Sequence, residues 1–193
     1  MTNATRSTRP TTALVGLDGE HPTALANRLG LEAGSLATVA DIDAARQQTV
    51  ILVRPPAPQP FSSTTDHDLE AVEATFFAFV HALQRATIAV RENRESESHH
   101  SIAILIPSDA ALGTRDAVLP SMLVGAVLSF TRTMAIELKK DAITANSVLY
   151  GNLDDDAEAS TISTLLETYR AATTLTGQET YTSSGPNLGR IKP

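Results

Sequence analysis

Ile102-Ala-Ile-Leu-Ile-Pro-Ser108, then Leu123-Val-Gly-Ala-Val-Leu-Ser-Phe-Thr-Arg-Thr-Met-Ala-Ile-Glu-Leu138, then Ile143-Thr-Ala-Asn-Ser-Val-Leu-Tyr-Gly151 are the three runs that decide the fold. The first and third are short, apolar and β-branched, the signature of strands buried on both faces. Between them Leu119, Met122, Leu123, Val127, Phe130, Met134 and Leu138 recur at helical spacing. A helix of that length crossing between two strands implies that the strands run parallel.

Outward from this unit the alternation continues. Strands are predicted near 12–16, 49–53, 101–107, 143–149 and 178–183, and helices near 22–29, 67–94, 117–139 and 158–173. Between the first strand and Thr49 there is room for one abbreviated unit, with Ala37–Ala40 as strand and Ile42–Arg46 as a turn of helix. The pattern predicts an α/β fold: a truncated, Rossmann-like, doubly wound parallel sheet with helices on both faces. One domain is expected over 11–185, between a disordered segment at 1–10 and a tail at 186–193.

With 193 residues and 42% apolar composition the chain can bury a sizeable core. A net charge of −7 argues against a basic face for nucleic acid or an anionic membrane. The absence of cysteine excludes disulfides, thiolate metal sites and cysteine nucleophiles. No run of eighteen apolar residues and no apolar stretch in Met1–Pro10 is present, so a cytoplasmic location is expected.

Thr131-Arg-Thr-Met-Ala-Ile-Glu137 resembles the "T-R-S-L-A-x-E" of short-chain dehydrogenases/reductases, and Ile143–Gly151 resembles their "I-R-V-N-x-V-x-P-G". Leu175–Gly185 is similar to their "I-T-G-Q-x-x-x-V-D-G-G". The resemblance covers nearly the whole chain and is weakest in the N-terminal third. It implies a Tyr-x-x-x-Lys dyad whose tyrosine falls on Pro120 and whose lysine falls on Val124. Neither side chain titrates, so the dyad's acid-base chemistry is absent. None of Tyr150, Tyr169 and Tyr181 is close in sequence. Ser108 stands where the family's serine orients the substrate carbonyl, although a serine after a strand is more often a turn or cap residue. Ala71 and Val72 take the positions of an asparagine on the preceding helix.

The cofactor loop departs in the same way. Where the family has T-G-x-x-x-G-x-G, this chain has Gly16-Leu-Asp-Gly19-Glu-His-Pro22. Pro22 lacks an N–H, and Asp18 and Glu20 bring negative charge to the place of the phosphate. Gly16 and Gly19 therefore read as a tight turn. Arg54-Pro-Pro-Ala57 replaces N-N-A-G. About one βαβ step and the substrate-covering segment after Gly151 are also missing, both ligand-handling parts in the family.

What is retained is the pair of helices at 68–93 and 118–138, each apolar over more than one face. In the family these helices and the last strand build the oligomer. The implied interface is Phe76, Phe79, Val80, Leu83, Leu123, Val127, Phe130, Met134 and Tyr181. The competing reading is that both helices simply cover the sheet. The resemblance implies a non-catalytic subunit, binding neither cofactor nor metal, that joins an NAD(P)-dependent active paralogue in a heterotetramer. Residues Gly185–Pro193 would reach a neighbouring subunit. Such subunits resemble the inactive one in the hydroxyacyl-CoA dehydrogenase of anaerobic toluene breakdown, which oxidises 2-[hydroxy(phenyl)methyl]succinyl-CoA; no residue here encodes that substrate. A ligand-sensing homodimer and a divergent enzyme using Ser108 with Asp109 or a histidine stay open. His99-His100 reads as a solvated loop rather than a metal site. Asp154-Asp155-Asp156 reads as the start of a helix at Glu158, and Pro55–Pro60 as a stiff connector.

Overall fold

A computed structural model describes residues 11–15, 28–29, 31–34, 48–93 and 99–183, with the strands at 11–15 and 32–34 described by their backbone. Six parallel strands form one sheet: β1 (Thr11–Val15), β2 (Glu32–Gly34), β3 (Gln48–Val53), β4 (His100–Pro107), β5 (Ile143–Tyr150) and β6 (Glu179–Tyr181), in the order β2-β1-β3-β4-β5-β6. Helices α1 (Asp66–Asn93), α2 (Ser108–Leu112), α3 (Val118–Leu138) and α4 (Asp156–Ala171) lie between them. The doubly wound parallel sheet is thus as expected, with strand and helix ends within two or three residues of the sequence reading.

One strand was not legible. β2 falls at Glu-Ala-Gly, which carries no β-branched residue and so no strand signal; pairing with β1 imposes it. The expected strand at 37–40, the helix turn at 42–46, most of the helix at 22–29, segment 1–10 and tail 186–193 lie outside the described residues.

The sheet's period of two sorts its side chains onto two faces. Ile51, Val53, Ile102, Ile104, Ile106, Ile143 and Leu149 meet α1 and α3 on one face. Val50, Leu52, Ala103, Leu105 and Val148 meet Ala159, Ile162, Leu166 and Tyr169 of α4 on the other. By length and composition Val118–Asp141 is long and apolar enough to cross a membrane. Here its Leu119, Leu123, Val124, Val127 and Leu138 are buried in the core, so it acts as a sheet-covering helix.

The seam between α1 and α3 is aromatic. Phe130 meets Phe76 and Phe79 edge-on at centroid distances of 6.0 and 5.8 Å, a favoured geometry for aromatic pairs. This packing corrects part of the interface expectation. Phe79, Leu83, Leu123 and Val127 are each at most 1% exposed within the single chain, so they have no surface left for a partner. Phe76, Val80, Phe130, Met134 and Tyr181 are partly buried against the same core.

Two polar devices set the C-terminal half. Asn146, fully buried on β5, donates from Nδ2 to the Leu175 carbonyl (2.9 Å) and accepts at Oδ1 from the Gln178 N–H (3.0 Å). These bonds hold the turn around Gly177, whose φ of 71° favours glycine, and so place β6. Asp155 caps α4, its carboxylate accepting from the N–H groups of Ala157 and Glu158. The acidic run therefore starts a helix as expected, from Asp156 rather than Glu158. The solvated-loop reading of His99-His100 is corrected: His100 is buried as the first residue of β4 and bonds Thr49 Oγ1 at 3.0 Å, while His99 bonds Thr144 Oγ1 at 3.2 Å. Strand pairing claims His100, whose backbone is in register with Ile143 of β5; His99 lies just before the strand.

Candidate functional site

In an open parallel sheet, ligands collect outside the carboxyl ends of the strands. A cleft of about 410 Å³ lies there, lined by Arg54–Pro58 after β3, Pro107, Asp109, Ala110 and Thr114 after β4, Ala117 and Pro120 at the start of α3, and Tyr150 at the end of β5. Register puts Pro107 beside Tyr150. A backbone bridge between Gln59 and Ala117 ties the proline-rich segment to the start of α3. The proline run is thus a cleft wall as well as a connector.

The residues singled out from sequence divide sharply. Pro120, in the first turn of α3, where a missing N–H leaves no helical bond unmade, forms part of the cleft wall. Val124, one turn on, is fully buried in the core. Ser108 is 1% exposed; its hydroxyl lies 3.4 Å from that of Ser183, and it lines no part of the cleft. It begins α2 without capping it, so its expected cap role is not seen. Val72 is buried in the core. Gly16, Gly19 and Pro22 lie outside the described residues.

Tyr150 is the residue that sequence reasoning missed. It is remote from Pro120 along the chain but shares the cleft with it, because α3 carries the chain back across the sheet. Tyr150 is 9% exposed. Burial pushes its hydroxyl up to about 12, with the nearby Arg54 guanidinium pulling down and the Glu158 carboxylate pushing up. At neutral pH the group is a phenol, a hydrogen-bond donor rather than a base.

Glu158, outside the cleft lining, is near enough to act on Tyr150. Its carboxylate accepts from the N–H groups of Gly151 (2.6 Å) and Asn152 (2.7 Å) and from the Thr182 hydroxyl. Burial opposes its ionisation, but these three bonds outweigh that and hold the carboxyl below the usual range.

Where the resemblance would have a lysine reach the cofactor ribose there is a valine inside the core, and Pro55 and Pro56 carry no N–H to offer.

No family profile matches the sequence, and no curated protein matches it with significance. Solved structures match the fold. A protein of Escherichia coli K-12 assigned as an oxidoreductase superposes with a TM-score of 0.72 at 14% identity, over 96% of this chain and 99% of that one. Acetoin dehydrogenase from Enterobacter cloacae gives 0.69 at 16%, over 97% and 100%. An actinorhodin polyketide ketoreductase with NADPH gives 0.68 at 14%, over 92% and 97%. In its fold this chain is similar to the short-chain dehydrogenase/reductase type of NAD(P)-dependent oxidoreductase.

Proposed function

We propose that this protein is a non-catalytic subunit of a hetero-oligomeric short-chain alcohol or hydroxyacyl-CoA dehydrogenase, cytoplasmic, with NAD(P) held by an active paralogue. The observation that carries this reading is the wall of the cleft: the position implied for the proton donor is Pro120, and the position implied for its lysine is Val124, inside the core. Tyr150 shares the cleft, but burial keeps it a phenol at neutral pH, and no lysine stands on the cleft lining to lower it. Ser108 faces Ser183, and no base bonds it among the described residues, which weighs against the divergent-enzyme reading. Toluene breakdown remains one setting for such a complex, and nothing in the cleft favours it over another.

The proposed contact surface is the outer side of α1 and α3, where Phe77, Ile88, Met122 and Ile136 are exposed. On that side Gly125 faces open space, with nothing within 4 Å of where a Cβ would stand. Gly125→Arg should therefore leave the single chain folded and block close approach of a partner helix. Tagged chain purified from its native host should carry a stoichiometric short-chain dehydrogenase with an intact Tyr-x-x-x-Lys, identified by mass spectrometry, and Gly125→Arg should release it. A homo-oligomer with no such partner would defeat the proposal and favour the ligand-sensing reading.

A further inference from the structure

We infer that the cleft at the carboxyl edge of the sheet is a binding site for a small monocarboxylate with a flat apolar body, anchored by Arg54 and Tyr150. The size is right: small-molecule sites span roughly 300–1,000 Å³, and this cleft measures about 410 Å³. Its walls are mostly rigid pyrrolidine rings and methyl groups, from Pro55, Pro56, Pro58, Pro107, Pro120 and Ala110. Such walls accept a ring or branched apolar body with little loss of side-chain freedom.

The polar groups are few and unspent. Tyr150 is 91% buried, from its 9% exposure, and no hydrogen bond engages its hydroxyl among the described residues. The hydroxyl is not among the buried unpaired side-chain atoms, so it keeps contact with solvent at the cleft and can donate to a ligand there. Arg54 lines the same cleft as Tyr150 and pairs with no carboxylate among the described residues. A guanidinium beside a phenol donor matches one carboxylate, with two N–H bonds and one O–H bond. Asp109, on the same lining, opposes any anion and a dianion such as a phosphate monoester about twice as strongly, so a single charge set toward Arg54 is the better match.

Isothermal titration of the purified full-length chain with benzoate, and with benzamide as its neutral counterpart, tests this. Benzoate should bind saturably and benzamide at least about tenfold more weakly, as expected for loss of a charge-assisted bond. Arg54→Gln, an exposed position, and Tyr150→Phe should each weaken benzoate about tenfold, with unchanged circular dichroism spectra showing that each variant is folded. Absence of saturable binding, equal affinity for the two probes, or equal affinity in wild type and both variants would overturn the assignment. The subunit reading rests on co-purification of a partner and needs no ligand, so either can fail alone.

Discussion

Asn146 shows how much one side chain can carry. Its amide satisfies the Gln178 N–H and the Leu175 carbonyl from inside the core. Asn146→Ala should lower unfolding free energy by about 2–4 kcal/mol, because buried backbone groups left unpaired cost more than the bonds themselves contributed; the shift in urea midpoint reads it. Tyr150 differs: it lines the cleft, and among the described residues its hydroxyl makes no hydrogen bond. Tyrosines absorb in the ultraviolet as phenolates, and Tyr169 is also raised by burial, against the opposing bond it makes with Thr180. Tyr150→Phe should remove the phenol that ionises near pH 12. The sign for stability follows: a folded pKa above the ordinary 10 keeps its full contribution below pH 10 and loses it as pH rises toward 12.

Helix α3 shows the two fates of an apolar residue on one element. Leu123 is wholly buried against the sheet and Ile136 is 78% exposed. Leu123→Ala should cost about 2–5 kcal/mol through lost burial and the cavity left behind. Ile136→Ser should change single-chain stability by no more than about 0.5 kcal/mol and weaken association with the proposed partner, measured by native mass. The helical periodicity was plain in the sequence, and so was the excess of apolar residues around the cylinder. Which of them served the core was not, since α3 packs against both β5 and α1 and each contact claims its own stripe. Phe79 and Leu83, read as interface residues, proved to belong to the inner stripe of α1.

At the scale of the whole molecule, acid sensitivity gathers where α4, the end of β5 and the segment after β6 meet. Glu158 is held below the usual carboxylate range by bonds to Gly151, Asn152 and Thr182, against the opposing effect of burial. A depressed folded pKa contributes stability that is present above the ordinary carboxylate range and is lost as pH falls through the lowered value. Glu158→Gln should flatten the acid limb of a plot of stability against pH and leave the neutral plateau lower by about 1 kcal/mol, as thermal melts across pH would show. The sequence by itself determined the alternation of strands and helices, hence the parallel sheet, and it shows that no Tyr-x-x-x-Lys motif is present, because both are properties of residue type and local spacing. Tertiary structure alone decided that β2 forms at Glu32–Gly34, that His100 is buried, and that Tyr150 shares a cleft with Arg54 and Pro120. Those outcomes depend on which strands lie side by side and where their carboxyl ends converge, and no local pattern encodes that.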